Sequence, residues 1–324
     1  MTGPPRGQAR GPRWRRTSKG LYVPSDVDGD LPDQRAVEAA AVLPPYGGVT
    51  GWAALHWLGG RWFEGGSDGG RALRPVTLAV GGQNIWLRSN IRLSKERLEP
   101  ADLIAVDGLR LTTAVRSACF EMRYADGLRA AVRVMEMAAY SDLVSIAEMW
   151  EYVDRHAGWT GVPLCREVLG LADENVWSPT ETDMKLVWML DAGLPRPLCN
   201  APIFDLDGRH VATPDLVDPV AGVVGEYDGS LHLQGSQRWR DVKREELFRR
   251  LGLEYFTMLA GDRHDRAGMA ARMISTRARA KWLPPGRRAW TLEPPYWWTP
   301  TLTVDQRRAL TESQRKRLLA NRAG

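Results

Sequence analysis

The stretch GVVGEYDGSLHL, residues 222–233, decides how this sequence is interpreted. Its first half is an apolar run typical of a buried strand. Its second half places Glu226, Asp228, Gly229 and His232 within seven residues. A strand that ends in two carboxylates and an imidazole has the side chains of a chemical site, and the residues upstream indicate which kind.

Six predicted elements surround this stretch in the order α-β-β-β-α-β. Ser178 and Pro179 predict the start of a helix that runs to Asp191, because serine caps helices and proline suits their first position. Apolar alternation and intervening turn residues predict the remaining elements. They are strands at residues 198–204, 210–217 and 222–227, a helix at 237–251 and a last strand at 253–259.

Acidic residues mark three of these elements, with Glu181 on the first helix. Pro214-Asp215 on the second strand is followed, eleven positions later, by Glu226-Tyr227-Asp228 at the end of the third. This arrangement resembles the core of the PD-(D/E)XK nucleases. A narrower pattern resembles the very-short-patch-repair endonucleases, and it is matched by Glu226, Asp228, Gly229, His232, Asp241, Arg244, Leu247 and Gly252.

The resemblance covers residues 178–260 and implies a nuclease-like domain over residues 177–261. The implied fold class is α/β, with a restriction-endonuclease-like αβββαβ core in the C-terminal half of the chain. The implied activity is hydrolysis of phosphodiester bonds in DNA by a metal-dependent endonuclease or nickase.

Phosphodiester hydrolysis needs an activated water and charge stabilisation on the phosphoryl group, and a Mg²⁺ (or Mn²⁺) held by carboxylates supplies both. Asp215 and Glu226, at the ends of neighbouring strands, are the predicted ligands of one ion. Glu181 is predicted to orient a metal-bound water or to hold a second ion. Asp228 lies two residues beyond Glu226 and so shares its face of the strand.

The sequence departs from the general motif because Asp228 stands where a lysine is expected. His232 is then the candidate general acid or base, since its ordinary pKa near 6.5 suits proton transfer near neutral pH. Arg244 or Lys243, on the following helix, is predicted to contact the phosphate.

Each residue also has a purely structural interpretation. Glu181 completes a capping box with Ser178, and Asp228-Gly229 is a common turn after a strand. A non-catalytic DNA-binding or antitoxin-like protein on a nuclease scaffold is therefore the alternative prediction. Its sequence would keep the fold without the chemistry.

Residues 20–176 predict a mixed α/β, helix-rich domain with a short strand ending at Pro24, helices at residues 33–43 and 51–58, and further helices after Gly108. The segment LTTAVRSA, residues 111–118, resembles the C-terminal part of AbiEi-type antitoxins. That resemblance implies a partner protein of a toxin–antitoxin or defence system.

Charge is concentrated at the two ends of the chain. Residues 1–19 carry six basic and no acidic residues, and residues 262–324 carry fourteen basic and five acidic ones. The first segment is predicted to be a disordered tail, and the second a Trp- and Pro-rich tail with a terminal helix. Basic ends favour a polyanion such as DNA, because each Lys or Arg on a phosphate releases counterions.

The sequence also predicts a cytoplasmic protein. It has no apolar run of the roughly 18 residues that a membrane helix needs, and no apolar signal-peptide core. Three widely spaced cysteines, Cys119, Cys165 and Cys199, predict no disulfide framework.

Overall fold

The computed structural model describes residues 7–66, 72–83, 85, 89–229 and 244–323. The chain is mixed α/β and divides into two compact units, Met1–Gly170 and Leu171–Gly324. The division falls at residues 170–171, whereas the sequence predicts it at 176–177. All three cysteines are buried with free thiols. No described helix is both long and apolar enough to cross a membrane.

The N-terminal unit contains a five-stranded mixed sheet in the order β5-β4-β3-β7-β6. Helices precede, interrupt and follow this sheet, so the expected mixed α/β class is confirmed. The strands are β1 (Trp14–Ser18), β2 (Leu21–Pro24), β3 (Gly48–Thr50), β4 (Val76–Ala79), β5 (Ile91–Ser94), β6 (Leu103–Val106) and β7 (Leu109–Thr112). The helices are α1 (Pro32–Ala40), α2 (Trp52–Trp57), α3 (Ala114–Arg123), α4 (Gly127–Tyr140), α5 (Ile146–Arg155) and α6 (Val162–Leu171).

The predicted disordered tail is wrong for Trp14–Ser18. This segment is β1, which pairs with β2 in an antiparallel hairpin. Gly20, at φ +80°, makes the reversal possible because glycine adopts positive φ without strain. Both guanidinium N–H₂ groups of Arg15 donate to the Glu38 carboxylate of α1, at 2.6 and 3.0 Å. The arginines of this segment looked like solvated charge in the sequence, but Arg15 is a structural cation.

The C-terminal unit contains two sheets. The four-stranded sheet has the order β13-β12-β11-β8, and a three-stranded sheet has the order β10-β9-β14. The strands are β8 (Leu198–Cys199), β9 (Ile203–Asp205), β10 (His210–Ala212), β11 (Leu216–Asp218), β12 (Val223–Asp228), β13 (Glu254–Leu259) and β14 (Trp290–Thr291). The helices are α7 (Pro179–Leu186), α8 (residues 244–251), α9 (Arg266–Arg279), α10 (Val304–Arg308) and α11 (Glu312–Leu318).

Two of the predicted strands each divide into two. The segment 198–204 forms β8 and β9, and the segment 210–217 forms β10 and β11. Both breaks lie next to a proline, Pro202 or Pro214, which has no N–H to donate to a strand partner. Strand β11 is antiparallel to both of its neighbours, β8 and β12, whereas β12 and β13 are parallel, with α8 in the connection between them.

The four-stranded sheet is buried on both faces. Leu216 and Val223 pack on one face, and Val217 and Val224 pack on the other, because successive side chains of a strand alternate. The first face is covered by Met184 of α7, by Trp188 in the π-helical turn Val187–Asp191 that continues α7, and by Met269 and Met273 of α9. The second face is covered by residues that include Phe248 of α8 and Trp290 of β14.

Residues 262–324 are an integral part of the C-terminal unit, so the prediction of a separate tail is wrong. Met269 and Met273 of α9 are fully buried in its core, and Trp290 belongs to a paired strand. Arg307 is also fully buried and donates to the carbonyl oxygens of Thr301 and Glu174, each at 3.1 Å. The predicted terminal helix from Thr303 is two short helices, α10 and α11.

Candidate active site

A cleft of about 700 Å³ opens beside β12 in the C-terminal unit. Polar side chains from the ends of β11 and β12 share its wall with residues of β10, β13 and α8. Its lining consists of Trp177, His210, Val211, Ala212, Thr213, Asp215, Glu226, Tyr227, Asp228, Arg244, Leu247, Tyr255 and Thr257. Four of the seven predicted site residues are therefore brought into one cleft.

Asp215 and Glu226 lie opposite one another across the β11–β12 pairing. Leu216 pairs with Gly225 in this antiparallel register, so Asp215, which precedes Leu216, lies opposite Glu226, which follows Gly225. The main-chain N–H of Tyr227 donates to Oδ2 of Asp215 at 2.7 Å, which fixes that carboxylate. Gly225 is required here because a Cβ would overlap the ring of Phe256. The predicted placement of the two residues on neighbouring strands is confirmed, and their role as metal ligands stays a prediction.

Glu226 has two further partners inside the cleft. The guanidinium of Arg244 forms an ion pair with Oε1 of Glu226, and the hydroxyl of Tyr255 donates to Oε2 at 3.2 Å. The Glu226 side chain is 16% exposed and that of Arg244 is 41% exposed. Arg244, which was predicted to contact phosphate, thus neutralises the charge of Glu226, a predicted metal ligand. Arg244 is the more exposed member of this ion pair.

Glu181 lies in the first turn of α7, where Ser178 accepts from its main-chain N–H at 3.2 Å. Its carboxylate accepts from the hydroxyl of Ser178 at 2.9 Å, the main-chain N–H of Trp177 at 2.8 Å and the amide of Asn200 at 2.7 Å. Ser178 caps the helix as predicted, but the predicted capping box is not formed, because the Glu181 carboxylate accepts from the main-chain N–H of Trp177 and not from that of Ser178. Glu181 is also close enough to Asp215 for their charges to repel.

Burial and repulsion give this carboxylate pair unusual proton affinity. Burial, and then the charge of Asp215, raise the pKa of Glu181 to about 7 against three opposing hydrogen bonds. Burial raises the pKa of Asp215 to about 6, although Tyr227 and Arg244 oppose the shift. Both shifts have the direction expected when a carboxylate loses water without gaining a cation. Such groups are typical of functional sites.

The remaining predicted residues divide between the cleft and the undescribed segment. Asp228 ends β12 and lines the cleft on the same side as Glu226. His232 and Lys243, predicted as acid–base and phosphate-contact residues, lie outside the described residues, as does Asp241.

Four residues of the site were not singled out from the sequence: Asn200, Tyr255, Trp177 and His210. Tyr255 alternates with buried Phe256 along β13, a period-two signal that points it to the cleft side. Nε2 of His210 shares a hydrogen bond with the Thr213 hydroxyl at 2.9 Å, and the imidazole ring stacks on Trp298. Burial lowers the pKa of His210. Asn200 lies two residues before Pro202, at a strand break. A proline that interrupts a strand is the sequence feature that indicates an irregular backbone there.

The oxygen donors of this cleft fit a hard divalent cation. Mg²⁺ usually takes one or two protein carboxylates and fills its other positions with water and substrate phosphates. Asp215 and Glu226 offer two carboxylates at opposing positions of paired strands, and burial raises the pKa of Asp215, so its charged form lacks stabilisation that a bound cation would supply. Across the described part of the chain, no group of three or more His, Cys, Asp or Glu side chains gathers as a preformed metal cluster.

Comparisons of this chain with protein-family models, with curated protein sequences and with solved structures found no match.

Proposed function

We propose that this protein is a metal-dependent DNA endonuclease or nickase. The observation that carries the proposal is the cleft in which Asp215 and Glu226 oppose one another across two paired strands, with Arg244 on the adjoining helix. Glu181 and Asp215 add a buried carboxylate pair with raised pKa values. The motif resemblance of residues 178–260 to very-short-patch-repair endonucleases, within the PD-(D/E)XK class, supports the same assignment.

Each residue has a role in this proposal. Asp215 and Glu226 would hold a Mg²⁺ or Mn²⁺, and Glu181 would orient a water on that ion or hold a second ion. The bound ion supplies charge stabilisation for the phosphoryl group and lowers the pKa of a water. Arg244 moves from Glu226 to a DNA phosphate, for which a guanidinium is a suitable bidentate donor. His232 is the proposed proton-transfer group.

DNA is the proposed substrate because the chain carries net positive charge, +5 overall, concentrated at its ends. The structure restricts which of these charges reach a polyanion. Arg307 is fully buried and Arg277 donates to Asp218, whereas the side chain of Lys316, in α11, is 77% exposed. An antitoxin-like role for residues 20–176 and a cytoplasmic location belong to the same proposal.

The test is a cleavage assay with plasmid, linear and mismatched DNA in Mg²⁺, Mn²⁺ or EDTA. Wild-type protein is expected to cut only with the cation. Asp215→Asn should reduce the rate by about 10³-fold, since a metal centre supplies several kcal/mol and each 1.36 kcal/mol is tenfold. Asp207→Asn is the matched control because its carboxylate is 76% exposed on the turn before β10, outside the cleft lining. Equal loss in both variants would remove the assignment.

A second candidate function is a non-catalytic DNA-binding or antitoxin-like protein. The observation that favours it is the ion pair between Arg244 and Glu226, which neutralises a proposed ligand within the protein itself. This candidate predicts salt-dependent DNA binding without cleavage in any cation. Calorimetry would then detect no Mn²⁺ binding that depends on Asp215.

A further inference from the structure

Asn200 has an unusual position between the two buried carboxylates. It lies directly after β8 with φ +45°, in the left-handed region that few residues other than glycine and asparagine tolerate. It is only 2% exposed. A buried polar residue in a sparsely populated backbone conformation indicates a position that surrounding structure holds in place.

The hydrogen bonds of Asn200 reach both acidic residues. Its side-chain Nδ2 donates to Oε2 of Glu181 at 2.7 Å, and its main-chain N–H donates to the carbonyl oxygen of Asp215 at 3.2 Å. Asn200 is therefore hydrogen-bonded both to the Glu181 carboxylate on α7 and to the main chain of Asp215.

Asn175 fixes Asn200 from the opposite side. Nδ2 of Asn200 donates to the carbonyl oxygen of Asn175 at 2.8 Å, and Nδ2 of Asn175 donates back to the carbonyl oxygen of Asn200 at 3.0 Å. The indole N–H of Trp177 in turn donates to Oδ1 of Asn175 at 3.0 Å. This reciprocal pair leaves the Asn200 amide little freedom to rotate away from Glu181.

We propose that Asn200 is a positioning residue that sets the place of the Glu181 carboxylate relative to Asp215. Two like charges in a buried site separate unless donors hold them, and the Asn200 amide is such a donor. The side chain must be an amide at this position, because both acceptors facing Nδ2 are oxygens and only a two-donor group satisfies them. A hydroxyl offers one donor, and a carboxylate offers none when ionised.

The inference rests on the proposed metal-dependent function, so its test measures the cation directly. In the full chain, Asn200→Gly keeps the left-handed backbone and removes the amide. Calorimetric titration with Mn²⁺ alone should show a dissociation constant 10- to 100-fold weaker than that of wild type, the usual effect of losing a group that orients a metal site. Asp107→Gly is the matched control, because Asp107 has φ +49° on an exposed turn of the N-terminal unit. It should bind Mn²⁺ as wild type does.

A double-mutant cycle separates positioning from general structural support. If Asn200 acts through Glu181, then Asn200→Gly should change Mn²⁺ affinity far less in a Glu181→Gln background than in wild type. Thermal unfolding of every variant identifies loss of folding, and Asn200→Ser, which offers one donor where the amide offers two, replaces the glycine variant if that one is unfolded. Wild-type affinity in folded Asn200→Gly, or full additivity in the cycle, overturns the proposal. Absence of Mn²⁺ binding by the wild type instead overturns the proposed function on which it rests.

Discussion

Each unit of this protein buries carboxylates, but the two units treat them differently. In the N-terminal unit, Glu96 forms ion pairs with Arg116 at 2.8 Å and with Arg123 at 2.7 Å, and both arginine side chains are at most 2% exposed. In the C-terminal unit, the carboxylates of Glu181 and Asp215 lie near one another, and neither forms a salt bridge with a described residue. Glu96 is paired directly with two cations, whereas the cation that acts on Asp215 is Arg244, which is itself paired with Glu226.

The pKa values follow this difference. Burial raises the pKa of Glu96, but donation from Tyr124, Arg123 and Arg116 outweighs it, so the pKa lies below the ordinary 4.5. Glu181 and Asp215 are more deeply buried than Glu96 and have no directly paired cation among the described residues, and burial raises their pKa values. A compensated buried carboxylate is a structural element, whereas an uncompensated pair favours binding a proton or a cation.

The arginines also differ in how firmly they are held. Arg116 and Arg123 both lie over the ring of Trp159, at 4.5 and 4.9 Å from its centroid. Arg244 lies farther from an aromatic ring, at 5.9 Å from the centroid of Phe248, and donates to the carbonyl oxygen of Thr213 at 3.3 Å. Its side chain is 41% exposed in the cleft, so solvent reaches this guanidinium far more than it reaches Arg116 or Arg123.

The largest expected effect is on the compensated site. Glu96→Ala should lower the free energy of unfolding by about 3–5 kcal/mol, because it removes the carboxylate partner of buried Arg123 and leaves buried Arg116 with the longer pair to Asp102 at 3.8 Å. Urea unfolding of the full chain measures it. Asp154→Ala is the control, since Asp154 and Arg166 are 64% and 42% exposed and such pairs contribute about 0–1 kcal/mol. A loss below 1 kcal/mol for Glu96→Ala would contradict the comparison.

The next effect is an opposite dependence on pH in the two units. Without metal, Glu181 and Asp215 hold protons in the folded state up to about pH 7 and 6, whereas their ordinary pKa values are 4.5 and 3.8. The folded state binds more protons in that window, so stability of the C-terminal unit should fall as pH rises through it. Glu96 has a lowered pKa, so its contribution is present above pH 4.5 and is lost as pH falls below it.

Hydrogen exchange of the full chain in EDTA separates these two trends, because peptides from α3 and α7 report each unit. After correction for the intrinsic exchange rate, protection in α7 should decrease between pH 4.5 and 7, and protection in α3 should not. Parallel trends in both helices would show that the carboxylates are equivalent.

Local sequence signals predicted part of this fold well. The strand predicted at residues 253–259 forms at Glu254–Leu259, and Ser178 caps α7 as expected. Helix α9 was missed because its buried residues, Met269, Ala270 and Met273, are scattered among arginines. The arginines of this segment reflect the exposed face of the helix. The buried face has few apolar residues, so its helical spacing is easily overlooked in the sequence.

The sequence predicted which residue types form the candidate site, but not which of their charges are paired. The spacing of Asp215 and Glu226 indicated paired strand ends, and the register reproduces that. The ion pair of Arg244 with Glu226 and the amide of Asn200 beside Glu181 depend on contacts between distant segments. Spacing along one chain carries no information about such contacts.

The smallest expected effect concerns stability at Asp215 itself. At pH 8 in EDTA, where both carboxylates of the pair are ionised, Asp215→Asn should raise the free energy of unfolding by about 1 kcal/mol, the usual size of a gain from relieving a strained functional site. The amide removes one buried charge and its repulsion with Glu181, while its oxygen still accepts from the Tyr227 N–H.

Asp218→Asn is the matched control on the same strand, because Asp218 accepts from Arg277 at 2.7 Å and is almost fully buried. Breaking that compensated pair should instead lower stability. Opposite signs for two neighbouring aspartates would locate the uncompensated charge at Asp215, and a loss of stability in both variants would show that Asp215 serves the fold alone.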